Sequence, residues 1–255
     1  MPMPVDEVFT PGRLKEYEEW MRREGMRKRK REPKGLSLNT ISTYMRMLRC
    51  IYNRGVDMHQ TPYVHRMFRD VFTGIDTRQK KAIPINELHT LLNEDPQSDK
   101  LRRTQAIANL LFLFCGMPFV DLAYLEKSNL EGNMLKYNRA KTGIPMNVEI
   151  LDSAATIISQ LRNKHTTVLP EHPDYLFYIL SGKNKRSDEA GYKEYQSALR
   201  CFNNDLKSLA RKLCIRSSVT SYTFRHSWAT TAKYRGVSIE MISELLGHKS
   251  IKTTQ

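Results

Sequence analysis

Residues Thr220–Gln255, TSYTFRHSWATTAKYRGVSIEMISELLGHKSIKTTQ, decide the fold of this chain. Helix-start residues recur through the stretch and predict three successive helices. The first is capped by Thr220 or Ser221 and ends at Gly236, the second is capped by Ser238 and covers Ile239–Leu246, and the third is capped by Ser250. This pattern places Arg225 in the second turn of the first helix, and His248 follows the second helix directly after Gly247.

An arginine near a helix N-terminus, with a histidine close by, suits the binding of an anion. Backbone amides and the helix dipole favour negative charge at that end of a helix. The guanidinium of Arg225 can bind two phosphate oxygens at once, and the imidazole of His248 can donate to another or move a proton. These residues predict a phosphate-handling site. The competing interpretation is a surface ion pair for Arg225 and a helix cap for His248.

The charge of the chain points to the same kind of partner. Lys and Arg number 41 against 27 Asp and Glu, which gives a net charge of +14. An excess this large predicts a polyanion such as nucleic acid, because each neutralised phosphate releases condensed counterions. The densest basic run is RREGMRKRKREPK over Arg22–Lys34. The residues predicted to bind DNA are Arg22, Arg23, Arg27, Lys28, Arg29 and Arg139.

Composition also excludes several classes of protein. No apolar segment is long enough to span a membrane, and MPMPVDEVFTPG at the N-terminus lacks the apolar core of a secretion signal. The cysteines at 50, 115, 201 and 214 form no C-x-x-C pair, so we expect reduced thiols rather than disulfides or a zinc site. We therefore expect a cytoplasmic protein with no membrane partner and no metal.

Residues 6–78 are predicted to form a small helical domain with basic outer faces. Its helices run from Pro11 or Gly12 to Arg23, from a cap at Ser37 or Asn39 to Gly55, and between Pro62 and Phe72. The apolar stripe of the first helix consists of Leu14, Tyr17, Trp20 and Met21. The charged, aperiodic stretch over 79–84 ends in proline and is predicted to be a linker.

Residues 85–255 are predicted to be helical apart from one small antiparallel sheet. The expected helices before the C-terminal stretch are Ile85–Asn93, Lys100–Cys115, Phe119–Leu125, Ser153–Lys164 and Tyr192–Leu213. The sheet is expected from strands Met134–Arg139 and Ile144–Ile150, with turn signals at Gly132-Asn133 and Thr142-Gly143. The fold class is therefore mainly α with a small antiparallel β-sheet, in two domains, and Lys141 stands near a hairpin tip.

The motifs R-H-S-W-A-T at Arg225–Thr230 and L-G-H-K-S-I-K-T-T-Q at Leu246–Gln255 carry a resemblance. Together they resemble the tyrosine recombinase, or phage integrase, family, in which H-x-L-R-H-T-x-A-T precedes L-G-H-x-S, a T-T pair and a tyrosine nucleophile. The sequence G-M-P-F-V-D-L-A over 116–123 is similar to integrases of Bacteroides-type mobile elements and phages. The resemblance implies a helical core-DNA-binding domain of SAM-like type over 6–78 and a mixed α/β catalytic domain over 85–255.

The resemblance implies roles for individual residues. Arg225 is the second catalytic arginine, which grips the scissile phosphate, and His248 donates to the same phosphate. Lys141, in K-T-G, stands at the place of the β-hairpin lysine and would protonate the departing 5′ hydroxyl. Without the resemblance, a lysine in a hairpin is more often a solvated surface residue. Asp121 matches an acidic supporting position, and His226 is expected to be a supporting or packing residue.

Some positions depart from the family pattern. Pro118 stands where the family places its first catalytic arginine, so either that arginine is dispensed with or a basic residue from elsewhere, such as Arg139, supplies the charge. Tyr222 replaces the histidine that precedes Arg225; its phenol can hydrogen-bond a phosphate oxygen but is a poor proton carrier near neutral pH. The nucleophilic tyrosine is absent and is expected just after Gln255.

The resemblance implies a site-specific DNA recombinase that cleaves and exchanges strands through a 3′-phosphotyrosyl intermediate. No cofactor is expected, because one phosphodiester replaces another. The implied partners are double-stranded DNA and three further copies of the chain in a homo-tetramer on DNA, with a monomer in free solution. We expect a bacterial, nucleoid-associated protein.

Two other activities remain open. A non-catalytic DNA-binding protein of integrase fold, either a decayed recombinase or a regulator, is favoured by Pro118 and Tyr222. The presence of Arg225, His248 and Lys141 opposes it. A type IB topoisomerase shares the chemistry, but the small size and the integrase-like first domain argue against it.

Overall fold

A computed structural model describes residues 5–25, 35–76, 82–162, 173–184 and 186–254 of the chain. The chain divides into two compact units, Met1–Gln79 and Lys80–Gln255. No helix within the described ranges is long and apolar enough to cross a membrane. Of the predicted linker, residues 79–81 lie outside the described ranges, whereas Ile83 is buried in the core of the second unit.

The first unit contains helices α1 (Val5–Val8), α2 (Pro11–Glu24) and α3 (Leu38–Asp57). The hydroxyls of Thr10 and Ser37 accept backbone N–H bonds and cap α2 and α3. The core of this unit is formed mainly by Phe9, Leu14, Met21, Ile41, Met45, Tyr52, Met67, Phe68 and Val71. Tyr17 and Trp20, predicted to face the core, are instead 41% and 47% exposed, and their rings stack at 5.8 Å.

Two predictions for the first unit are wrong. Gly55 does not stop α3, which continues to Asp57. The stretch over 62–72 forms turns rather than a helix. The physical reason is visible at Tyr52, whose buried hydroxyl donates to the Pro62 carbonyl (3.0 Å) and accepts from the Val64 amide (2.6 Å). These long-range bonds fix the backbone in a path that local propensity does not encode.

The second unit contains the remaining elements. These are α4 (Ile85–Asn93), α5 (Asp99–Leu113), α6 (Phe119–Ala123), a 3₁₀ turn (Lys127–Asn129), β1 (Leu130–Glu131), β2 (Met134–Asn138), β3 (Pro145–Glu149), α7 (Asp152–Leu161), α8 (Glu189–Lys212), α9 (Thr223–Tyr234), α10 (Ile239–Leu245) and a 3₁₀ turn (Ile251–Thr253). Over the described residues the fold is mainly helical with one small sheet, as the sequence predicts.

The sheet is antiparallel, in the order β1-β2-β3. Leu135 pairs with Val148 and Tyr137 with Met146, so alternate residues of β2 and β3 face the core. The two-residue strand β1 was not predicted. After β2 the chain turns through residues 139–144, and Arg139 accepts from the Gly143 amide at 2.8 Å and donates to the Ile144 carbonyl at 2.9 Å.

Helix α5 lies at the centre of the second unit and packs against α4, α7, α8 and α9. Its fully buried residues include Ala108, Leu110 and Leu111. The predicted end of this helix at Cys115 is wrong, because α5 ends at Leu113. Cys115 and Gly116 both adopt left-handed conformations (φ 55° and 68°), which turn the chain sharply toward α6.

Candidate active site

Arg225 lies at the centre of a buried polar cluster. It is the third residue of α9, so it stands in the first turn rather than the predicted second one, because the helix starts at Thr223 after a cap at Tyr222. Only 4% of the residue is exposed. Its Nη1 donates to the Gly116 carbonyl at 3.1 Å, and its Nη2 donates to the Leu246 carbonyl at 2.5 Å. The surface ion pair considered from the sequence is therefore excluded.

Glycine at position 116 allows the turn after α5 to lie against the backbone of α9 at Arg225. A Cβ atom there would lie 2.9 Å from the Arg225 Cα and 3.3 Å from its carbonyl oxygen, and the φ of 68° is itself unfavourable for other residues. Gly247 has a similar role, because a Cβ would lie 2.9 Å from the Met146 sulfur and 3.2 Å from the Arg139 Cδ. These close approaches bring α9, the hairpin and the end of α10 into one site.

His248 contacts Arg225 directly. The Arg225 Nη2 lies 3.0 Å from His248 Nε2, and His248 Nδ1 lies 2.8 Å from the Thr254 hydroxyl oxygen. Because a guanidinium can only donate, Nε2 accepts this bond and carries no proton. The proton is then on Nδ1, which donates to Thr254. The imidazole is neutral in this arrangement, and its Nε2 faces the Arg225 guanidinium.

A second buried arginine lies beside Arg225. Arg139, at the end of β2, is 6% exposed, and its Nη1 donates to the Asp121 carboxylate at 2.6 Å. Its Nε donates to the Leu246 carbonyl at 3.3 Å, the oxygen that Arg225 also uses. Asp121, on α6, is fully buried and also accepts the Ala140 amide at 2.9 Å. The carboxylate therefore fixes both the Arg139 side chain and the backbone that follows it.

The site carries an excess of positive charge. Two guanidiniums, those of Arg139 and Arg225, are close together, with the Asp121 carboxylate bonded to the first of them. Burial lowers the pKa of Arg225 to about 10, and the charge of Arg139 acts in the same direction. Arg225 still remains charged at neutral pH. An anion that enters this site would be stabilised by both arginines.

Lys141 lies at the exposed tip of the β2–β3 hairpin. The residues on either side hold that tip in place. Arg139 donates to the Leu246 carbonyl, and the Thr142 hydroxyl donates to the Gly247 carbonyl at 3.2 Å. The hairpin is therefore tied to the loop that carries His248, and Lys141 stands between the two ties with its side chain exposed.

Tyr222 and His226 lie at the start of α9. Tyr222 is 49% exposed, and its ring meets the His226 ring edge-on at 4.9 Å. Tyr222, rather than the predicted Thr220 or Ser221, is the cap residue of this helix, and the Thr223 hydroxyl accepts the Thr220 amide at 3.0 Å instead.

Of the residues predicted to bind DNA, two are described in the first unit, one lies in the second unit, and the others lie outside the described ranges. Arg139 is buried in the second unit, as described above. In the first unit, Arg22 donates to the buried Glu18 carboxylate at 2.6 Å, and Arg23 lies 3.6 Å from Glu19. Arg27, Lys28 and Arg29 lie outside the described residues.

The sequence did not reveal all of the groups at the site. The Gly116 and Leu246 carbonyls belong to the backbone and give no residue-type signal, although Gly116 and Gly247 mark the close approaches. Thr254 stands in the T-T pair but had no assigned role. Within the described ranges, no group of three or more His, Cys, Asp or Glu side chains is placed to hold a metal ion.

Comparison with known proteins relates both units to one family. The phage integrase family matches residues 81–255, and the phage integrase SAM-like domain matches residues 6–65. Tyrosine recombinase XerD of Listeria monocytogenes is 24% identical over 229 residues, which cover 87% of this chain and 71% of that protein. Tyrosine recombinase XerA of Pyrococcus furiosus is 30% identical over 177 residues, which cover 69% and 56% of the two chains.

Solved structures show the same fold. A lambda integrase dimer bound to a COC' core site matches with a TM-score of 0.68 at 13% identity, over 100% of this chain and 81% of that one. The Tn1549 transposon integrase in complex with a circular intermediate DNA matches with a TM-score of 0.67 at 16% identity, over 98% and 81%. At these identities the likeness concerns the fold, whereas the match over residues 81–255 concerns the family.

Proposed function

Because this chain belongs to the phage integrase family and is a tyrosine-type site-specific recombinase, we propose that the cluster around Arg225 binds the scissile phosphate of double-stranded DNA. The observation that carries the proposal is the contact between Arg225 and His248. The guanidinium donates to two carbonyl oxygens and an imidazole, all of them neutral. A buried cation with neutral partners gains most from an anion, and a phosphodiester offers two oxygens in the geometry of the arginine fork.

The reaction divides among these residues as follows. A tyrosine expected just after Gln255 loses its phenolic proton to water, and its oxygen attacks phosphorus as the bond to the 5′ oxygen breaks. The guanidinium of Arg225 stabilises the negative charge on the phosphorane, and His248 would donate to the same group after its Nε2 takes up a proton. Lys141 transfers a proton to the departing 5′ oxygen, which becomes a hydroxyl. The 5′ hydroxyl of the partner strand then gives its proton to Lys141 and attacks phosphorus. The bond to the tyrosine oxygen breaks, and the phenolate takes up a proton from water.

The proposed activity is tested with nicked suicide duplexes tiled across the DNA that flanks the gene. Cleavage next to the nick releases a short 5′-hydroxyl fragment that diffuses away, so the covalent protein–DNA adduct accumulates. We expect the full-length protein to form an adduct that survives denaturing electrophoresis on at least one duplex. Noncovalent binding to these duplexes without any adduct would contradict cleavage and support the non-catalytic alternative, which the replacement of the family's first arginine by Pro118 favours.

The role of Lys141 has its own test. Lys141→Ala is expected to slow adduct formation by about 100-fold or more, because the 5′ oxygen would leave without a proton. With a 5′-bridging phosphorothiolate, the sulfur leaves readily as a thiolate, so the variant should approach the rate of the parent protein. Lys136→Ala, which changes an exposed lysine paired with Glu131 on the same hairpin, is the matched control and should change neither rate. Equal slowing on both substrates would contradict an acid role.

We further propose that the protein binds double-stranded DNA with both units and assembles as a tetramer on two duplexes. The net charge of +14 and the SAM-like match over 6–65 support the DNA partner. In the cell such a substrate would place the protein in the bacterial cytoplasm, on the nucleoid. Light scattering coupled to size exclusion should give one copy in free solution and four copies with two duplexes. A complex that stays at one copy per duplex would contradict the tetramer.

A further inference from the structure

We propose that Arg139 supplies the phosphate-binding guanidinium that the family takes from the position of Pro118. This inference rests on the proposed function and concerns the same phosphate. Pro118 is buried at the cap of α6 and has neither a side-chain donor nor a backbone N–H. Position 118 can therefore donate nothing to an anion. A second arginine must come from another element, and Arg139 comes from the hairpin.

The position of Arg139 meets the geometric requirement. Its Nε and the Nη2 of Arg225 both donate to the Leu246 carbonyl oxygen, at 3.3 and 2.5 Å. Two donors that share one acceptor oxygen converge on a small volume, and a phosphate oxygen that enters this volume can replace the carbonyl as their acceptor. Arg139 uses Nε for Leu246 and Nη1 for Asp121. Its Nη2 is a further donor on the same planar group.

The contact with Asp121 supports this role for Arg139. It stands at the acidic position that accompanies the first arginine in the family pattern, and here it binds Arg139 at 2.6 Å while both side chains are almost fully buried. The bond to the Ala140 amide fixes the backbone next to the arginine. The acidic residue thus stands at its family position, on α6, whereas the arginine that it orients lies on the hairpin.

Charge distinguishes this role from a purely structural one. A buried arginine that served only Asp121 would gain nothing from a second cation nearby. Yet the charge of Arg139 is felt at Arg225, whose pKa it helps to lower after burial. Asp121 neutralises only one of the two guanidiniums, so the pair keeps a net positive charge that an entering anion can neutralise. A phosphodiester between the two guanidiniums neutralises that charge, and the phosphorane, which carries more negative charge, neutralises it more effectively.

The test compares Arg139→Ala, Arg139→Lys and a control, Arg103→Ala, in the full-length protein on the suicide duplex. Arg103 donates to the Tyr178 carbonyl at 2.6 Å on the surface, so its loss also removes an arginine bond but away from the site. We expect Arg139→Ala to slow adduct formation by about 100-fold, with Arg139→Lys intermediate and the control unchanged. Circular dichroism at the assay temperature confirms that each variant is folded.

The measurement that separates a phosphate-binding role from a structural one uses a suicide duplex with a methylphosphonate in place of the scissile phosphate. This group has no negative charge, so a residue that neutralises the charge becomes less important. We expect the loss in Arg139→Ala to shrink at least tenfold on the methylphosphonate. A merely structural role would slow both substrates equally, and that result would overturn the inference. Loss in Arg225→Ala with normal rates in Arg139→Ala would also overturn it, while the proposed function would stand.

Discussion

Arg225→Ala is expected to abolish the covalent adduct, with a fall in its rate of about 1,000-fold or more. The variant removes the donor that touches His248 and the Gly116 and Leu246 carbonyls together. The phosphate then loses its bidentate partner, and the His248 Nε2 loses the group that fixes its position. Arg225→Lys keeps the charge without the fork, so it should recover only part of the rate.

The control for this prediction is Arg235→Ala, which changes an exposed arginine at the opposite end of the same helix. It should alter neither the adduct nor thermal unfolding. Noncovalent binding is measured in parallel by electrophoretic mobility shift, because one lost phosphate contact weakens binding far less than it slows cleavage. Robust adduct formation by Arg225→Ala would contradict the assignment of the whole site.

The sequence predicts the helices of this protein well where apolar periodicity is strong. Helix α4 has the predicted bounds, Ile85–Asn93, because its pattern is local and its flanking prolines and turn residues are clear. The stretch over 62–72 fails because the hydroxyl of Tyr52 fixes its backbone through bonds that span ten or more residues. Such bonds depend on the packed unit and leave no periodic signal.

The residues of the site also divide into those that the sequence predicts and those that depend on how the chain packs. Motif spacing pairs Arg225 with His248, and the structure places Arg225 Nη2 3.0 Å from His248 Nε2. The sequence named Arg139 as one candidate for the missing charge but could not choose it, because its contact with Asp121 depends on how the hairpin packs against α6. The sequence gives no signal for the role of the Leu246 carbonyl, because every residue has a backbone carbonyl. Only the glycine after it, with its left-handed φ of 64°, signals an unusual approach.

The second large effect concerns stability. Asp121→Ala is expected to lower the free energy of unfolding by about 3–5 kcal/mol, because it leaves the buried Arg139 without its carboxylate. The Ala140 amide also loses its acceptor. For a protein of this size, such a loss corresponds to a fall in melting temperature of about 6–20 °C. Thermal unfolding followed by circular dichroism gives the value directly.

Three further variants separate the causes of that loss. Asp121→Asn can still accept the Ala140 amide but carries no charge, so its loss should be smaller. Asp121→Ala combined with Arg139→Met should recover stability relative to Asp121→Ala alone, because no unpaired charge then remains buried. Asp99→Ala, which breaks an exposed pair with Arg102, should change the melting temperature little. If Asp121→Ala melted within about 1 °C of the parent protein, the buried pair would not hold the hairpin against α6.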